Sequence, residues 1–264
     1  MIDTGRIVAV TGASSGIGLA AARLFRDRGD KVYCLSRTDP KEPGITFIHT
    51  DVTDEASVNA AFGAIGKAEG RIDVLLSNAG IGVSGAAECT TIQDAKRQLD
   101  VNFFGLHACV RAAVPLMRAH GGTILATSSV AAVFAIPFQA FYSASKFAVN
   151  ALVLALANEL KPFNIRVAAI MPGDVKTGFT GARIKAEDDD NYGQSIEKSV
   201  AVMEHDEQNG MGPEMIAKRF VALSLKKHPK VLSTVGLQYK FFCFLGKVLP
   251  IRLQNFIVGK MYIK

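Results

Sequence analysis

TGASSGIG, Thr11–Gly18, stands between a short β-branched run, RIVAVT (6–11), and an apolar helical pattern that runs from Ile17 to Arg28. A strand that ends on glycine and feeds a helix suits a bound phosphate. Gly12 permits the tight turn, Gly16 lets the backbone approach a pyrophosphate, and Gly18 lets the helix pack on the sheet. The helix N-terminus behind them offers free N–H groups and the positive end of a dipole. Ser14, Ser15 and Ile17 complete the expected cradle. A glycine triplet alone is also compatible with a purely structural turn. The strand before it and the helix after it are the context that a dinucleotide site requires.

Outward from this turn the chain keeps one rhythm. KVYCLSR, ITFIHTDV, IDVLLSNAG, GTILATSS and RVAAIMPG read as strands, and VLSTVG as a last one. Helices are expected near 54–68, 92–118 and 140–161. Strands alternating with helices imply βαβ units and a parallel sheet. The predicted fold class is α/β, a single Rossmann-type doubly wound parallel sheet with helices on both faces, in one domain over residues 1–264. Residues 177–212 break the rhythm and carry the acidic run Glu187, Asp188, Asp189, Asp190. That segment is either a solvated insertion or a lid over a ligand; its place after the last major strand favours a lid.

The second strand ends in CLSR. An acid there would hold a ribose 2′-hydroxyl, but Ser36 and Arg37 occupy the position. A guanidinium suits a 2′-phosphate, which favours NADP(H) over NAD(H).

The 264 residues are 49% hydrophobic and 20% charged, enough for a substantial core and unlike a disordered chain. Cys34, Cys89, Cys109 and Cys243 are widely spaced and form no CxxC, so they are expected as free thiols. The five histidines show no ligand pairing, and no metal site is expected. No charged stretch precedes a long apolar one at the N-terminus, and no uncharged apolar run reaches about 18 residues. A cytoplasmic location is expected.

The net charge of +6 is uneven: from Pro213 onward there are ten Lys or Arg and one acid, Glu214. The final stretch, 237–264, interleaves Phe, Leu and Ile with spaced cations, and Pro250 divides it. One reading is a helical cap on the substrate side with snorkelling lysines. A sharper one is a surface that touches anionic membrane, peripherally, and collects a lipid substrate. No nucleic-acid partner is expected.

In FYSASKFAVN (141–150), Tyr142 and Lys146 are four positions apart and share one helix face. They are either a surface pair or an acid and the cation that tunes it. Seven motifs in order, TGASSGIG, HTDV, SNAG, DVNFFG, ATSSV, YSASK and MPGDVKTGF, resemble the short-chain dehydrogenase/reductase family over about residues 5–180. FYSASKFAV and NELKPFNIRVAAIMPG look most like the branch acting on steroids, retinol and other lipid alcohols or ketones.

The resemblance implies an oxidoreductase interconverting a ketone and a secondary alcohol. It places the general acid/base on Tyr142. A free phenol ionises near about 10, and a nearby cation, Lys146, would lower it. Lys146 is also implied to hold the nicotinamide ribose. Ser129 is implied to bind the substrate oxygen, with Ser128 as the competing choice. Asn102 matches the asparagine that interrupts its helix and holds a water beside the lysine. Asp51 and Val52 match the adenine contacts. Asn78, Ala79 and Gly80 match the segment passing the ribose, although Ser77 stands where the family often has asparagine. Pro172, Gly173, Val175 and Thr177 match the turn that meets the nicotinamide. Apolar residues near the pocket include Val130, Ala132, Val133, Phe134, Ile136, Phe138 and Phe179, with Val130, Phe134, Phe138 and Phe179 as expected substrate contacts. They suit a hydrophobic, steroid-like substrate. Members commonly pair through the helices near 92–118 and 140–161, so a homodimer or homotetramer is implied. An NAD-linked alcohol dehydrogenase of the same fold is the alternative. A non-catalytic redox sensor fits less well, because the YxxxK pair and the serine are intact.

Overall fold

The computed structural model describes residues 5–186 and 190–263, so most of the acidic run, 187–189, lies outside the described residues. The chain begins with β1 (Ile7–Thr11), α1 (Gly16–Asp27), β2 (Lys31–Ser36), β3 (Ile45–His49), α2 (Glu55–Glu69) and β4 (Val74–Ser77). It continues through β5 (Val83–Ser84), α3 (Ile92–Leu99), α4 (Gly105–Met117), β6 (Gly122–Thr127), α5 (Ala140–Glu159) and β7 (Ile165–Met171). The last part holds β8 (Ile184–Lys185), α6 (Ser195–Gln208), α7 (Pro213–Ser224), β9 (Leu232–Thr234), α8 (Leu237–Val248) and α9 (Ile251–Tyr262).

Seven strands form one parallel sheet in the order β3-β2-β1-β4-β6-β7-β9. Val8 of β1 pairs with Val32 on one side and Val74 on the other. The direction of winding reverses between β1 and β4, which opens a crevice at the carboxyl ends of these strands. Helices cover both faces, so β1 and β4 are buried throughout and read as continuous apolar runs. On one face Phe62, Ile65, Cys109, Met117 and Val153 pack against the sheet from α2, α4 and α5. On the other, Phe25 of α1 and Phe220 of α7 are fully buried. Truncating either to alanine would cost about 3–5 kcal/mol.

The helix expected over 92–118 is interrupted. A π-helical segment, Asp100–Phe104, separates α3 from α4. The cause is Asn102, whose side chain leaves the helix to bond the backbone of Ile81. Its Oδ1 accepts from Ile81 N at 2.9 Å and its Nδ2 donates to Ile81 O at 3.1 Å.

Among the described residues one helix, α5, is long and apolar enough to cross a membrane by length and composition. It nevertheless carries a buried Lys146 and packs Val149, Val153 and Leu156 into the core. Cys34, Cys109 and Cys243 are free thiols and buried. After β7 the chain crosses to pair β8 with β5 in a small parallel sheet. After β9 it ends in the helical pair α8 and α9, with Pro250 at the start of α9.

Candidate active site

The strand ends open into a cleft of about 1220 Å³ that runs from Arg37 past Tyr142 to the last helix. At one end the glycine turn shapes it. Gly12 has φ +63°, and a Cβ there would sit 2.7 Å from Ala79 Cα; one on Gly18 would meet Gly12 O at 2.4 Å. Neither position admits a side chain. Asp54 and Thr91 cap α2 and α3 with side-chain bonds, whereas Ser15, at the start of α1, makes no such bond. The first amides of α1 are thus left for an anion, at the helix end where an anion is favoured. Ser14, Ser15, Gly16 and Ile17 line the cleft beside it, and Gly18 packs behind.

Ser36, Arg37, Asp51 and Val52 line the next part. The Ser36 hydroxyl is buried and donates to Thr38 O at 2.7 Å, so its side chain is spent on the loop. Arg37 is exposed at the rim. Burial alone would raise the Asp51 carboxyl. The Thr53 amide and hydroxyl, with the nearby Arg37 and His49, bring it net below its ordinary value. Asn78, Ala79 and Gly80 follow at the end of β4. Thr11, which the sequence reading passed over, holds them: its Oγ1 accepts from Asn78 N at 3.0 Å and Ala79 N at 3.2 Å. Asn78 Nδ2 donates to Gly12 O at 3.2 Å, so the two turns brace each other. Extended cleft, open helix end and rim guanidinium together fit a dinucleotide.

Tyr142, Ser129 and Lys146 meet midway along the cleft. Ser129 lies two residues past β6 and caps the 3-10 turn Val130–Ala132, its hydroxyl accepting from Ala131 N at 3.1 Å. The competing Ser128 donates instead to Asn150 Oδ1 at 2.7 Å and is 2% exposed, so it is tied to α5. Burial pushes the Tyr142 phenol up to about 12, and its hydrogen bond with Ser129 opposes this only in part. Burial pulls Lys146 down to about 8. The ammonium donates to Thr127 O at 2.8 Å and lies 5.6 Å from the centre of the Tyr142 ring. The ammonium is thus aimed at a carbonyl, and burial holds the phenol above its ordinary value. Asn102 is 3% exposed and lies behind the cleft, not in its lining; besides Ile81 it donates to Ser145 Oγ at 3.0 Å on α5.

Pro172, Gly173, Val175 and Thr177 line the opposite wall after β7. Val130, Phe134 and Phe179 are at the substrate side, and the Phe179 ring lies 5.9 Å from that of Tyr142. Phe138 is not in the lining. Its backbone has φ +58°, and the ring turns away to pack on Tyr192 at 5.8 Å, in a small cluster with Ala86, Ile196 and Val200. Phe138 is thus corrected from a pocket residue to a support of α6.

Several lining residues were not foreseen. Asp174 is held by Tyr239, whose Oη donates to Asp174 Oδ2 at 2.7 Å and accepts from Asp174 N at 3.1 Å. Met203, Asp206 and Glu207 reach the cleft from α6. Phe242, Leu245, Ile257 and Met261 wall it from α8 and α9, with Leu249 between the two helices. The apolar periodicity of the last two helices was the available signal, but not which side would face the cleft.

Known proteins share this arrangement. The chain is 39% identical over 236 residues to a 3-ketodihydrosphingosine reductase of Bacteroides thetaiotaomicron, covering 88% of each protein. It is 38% identical over 191 residues to 17-beta-hydroxysteroid dehydrogenase type 1 of Mus musculus, covering 66% of this chain and 55% of that one. Among solved structures, a short-chain dehydrogenase from Streptomyces avermitilis superposes with a TM-score of 0.86 at 27% identity over 98% of both chains. The profile described as short chain dehydrogenase matches residues 6–188, the span that holds the glycine turn, Ser129 and the Tyr142–Lys146 pair. The chain therefore belongs to the short-chain dehydrogenase/reductase family and is an oxidoreductase of the NAD(P)-dependent type.

Proposed function

We propose that this enzyme uses NADP(H) to interconvert a ketone and a secondary alcohol on a long-chain or otherwise bulky lipid. The observation that carries the reading is one continuous cleft. Its polar end holds the open start of α1 and Arg37; its middle holds Ser129 and Tyr142; its far wall is apolar side chains of α8 and α9. The 39% identity to a reductase of a long-chain keto lipid favours that substrate class. A steroid is the second reading, favoured by the likeness to a hydroxysteroid dehydrogenase.

The bound dinucleotide supplies the hydride in reduction and accepts it in oxidation. The chain does the rest. The Ser129 hydroxyl donates to the substrate oxygen and stabilises the charge that develops there. Tyr142 Oη gives its proton to that oxygen in reduction and takes it back in oxidation. Lys146, down at about 8, is able to exchange a proton near neutral pH and returns one toward Tyr142. Asn102 fixes the Gly80–Ile81 backbone against α5, so that Lys146 stays in place. Asp51, Val52, Asn78, Ala79 and Gly80 hold the adenosine half; Pro172, Gly173, Val175 and Thr177 hold the nicotinamide half. The described parts of 177–212 act as a lid along one side, with Thr177, Phe179, Met203 and Glu207 on the cleft, and α8 and α9 close the substrate end. The exposed Phe104, Phe147 and Leu154 support pairing of copies in a homodimer or homotetramer.

The test is a titration with NADPH and NADH, followed by turnover on long-chain keto lipids, steroid ketones and retinoids. Tighter NADPH binding with turnover on keto lipids is expected. NADH preference would remove the role of Arg37, and binding without turnover on any ketone would favour a nucleotide sensor.

A further inference from the structure

The outer face of the last two helices is unlike the rest of the surface. On α8, Leu237, Phe241, Phe244 and Val248 are 84%, 58%, 58% and 56% exposed. Their spacing of four, three and four places them in one stripe along the helix. The opposite stripe of α8 holds Tyr239 and Cys243, both buried. On α9, Ile251 and Phe256 are 75% and 61% exposed. A soluble surface does not ordinarily collect this many large apolar side chains on one pair of helices.

The charge of this face is of one sign. Lys240, Lys247, Arg252 and Lys260 are all exposed, and residues 237–264 contain no acid. A second copy docked through the same face would bring these cations together. An anionic lipid surface complements them while taking up the phenyl rings.

The third observation joins this face to the cleft. Phe242, Ile257 and Met261 line the cleft and are also 38%, 38% and 43% exposed. They form its rim, so the cleft opens within the apolar, cationic face.

We propose that α8 and α9 dock the enzyme on anionic membranes, with the mouth of the substrate cleft against the bilayer, so that a lipid enters without crossing water. The docking itself does not depend on which ketone is reduced; the purpose assigned to it rests on the lipid reading above.

The experiment is co-sedimentation of the full chain with vesicles of phosphatidylcholine alone and of phosphatidylcholine with about one-third phosphatidylglycerol. Two variants accompany it: Phe241→Ser with Phe244→Ser and Phe256→Ser, and Lys240→Glu with Lys247→Glu. None of these residues lines the cleft. Binding to the anionic vesicles is expected, with little to the neutral ones, and it falls as salt is raised. Each variant should lose at least tenfold: each cation near an anionic surface contributes roughly fivefold, and the three rings supply the buried apolar area on which interfacial binding depends. NADPH affinity and turnover of a short, water-soluble ketone should be unchanged in both, which shows that the fold and site are intact. The proposal fails if the wild-type chain stays in the supernatant with anionic vesicles, or if both variants pellet as well as it does. It also fails if the phenylalanine variant instead dissociates a dimer that ignores vesicles, because a second copy then occupies the face. Loss of turnover on lipids with vesicle binding retained would overturn the substrate reading and leave the docking standing.

Discussion

Lys146 Nζ gives its 2.8 Å hydrogen bond to the carbonyl of Thr127, not to Tyr142, its neighbour one helical turn away. The ammonium is only 5% exposed, and burial lowers it from 10.5 to about 8. The folded chain therefore releases this proton before the unfolded chain does. Below about 8 both states hold it, and folding bears the whole cost of the buried charge; that cost is relieved as the pH climbs from about 8 to 10.5. Lys146→Met removes the titration. Compared across this window by denaturant melts, wild type should gain on the variant by on the order of 3 kcal/mol. A difference that stays flat with pH would mean that Lys146 is not held in this state.

Tyr142→Phe removes the only proton that the chain offers the substrate oxygen from the phenol position. Turnover should fall about 10²–10⁴-fold. NADPH affinity should change little, since the ring is retained beside Phe179. A variant that binds cofactor and keeps most of its turnover would put the acid/base elsewhere.

The two adjacent serines should separate cleanly. Ser129→Ala leaves a hydroxyl missing in the cleft and should cost about 10²–10³ in kcat, with a loss of about 0.5–2 kcal/mol from the cap on Ala131 N. Ser128→Ala leaves the buried Asn150 carbonyl without its 2.7 Å donor and should cost about 1–3 kcal/mol of stability, with kcat within a few-fold. The reverse pattern, read from melts and initial rates together, would exchange their roles.

Arg37→Ala tests the nucleotide preference. The guanidinium is exposed, so its bond to a phosphate is partly screened. NADPH affinity should drop about tenfold and NADH affinity should hold. Equal losses for both nucleotides in a fluorescence titration would show that Arg37 does not read the 2′-phosphate.

Features written in a few neighbouring residues were legible in the sequence. The glycine turn, the alternation of strands and helices, and the Tyr142–Lys146 spacing all belong to this class. Their physical causes, a φ of +63° at Gly12 or a shared helix face, act within one or two turns of chain. What was not legible depends on elements that meet only in space. Thr11 holds Asn78 across 67 positions because β1 and β4 are neighbours in the sheet. The resemblance implied the interruption at Asn102 but not its partner, the Ile81 backbone 21 residues away. Phe138 was counted with its apolar neighbours, yet a left-handed backbone turns its ring out of the cleft. The tail was read as either a cap or a membrane surface; in the structure one stripe of α8 packs inward, and which stripe stays exposed was not readable from composition.

The cleft is lined by Gly12 near one end of the chain and Tyr262 near the other. Tyr239 fastens the last helices to Asp174, beside the proposed nicotinamide turn. On a ribosome, the glycine turn and the Tyr142 helix emerge while α8 and α9 are still inside the exit tunnel. The last wall of the cleft is therefore added after the strands and the helix that carry its polar half.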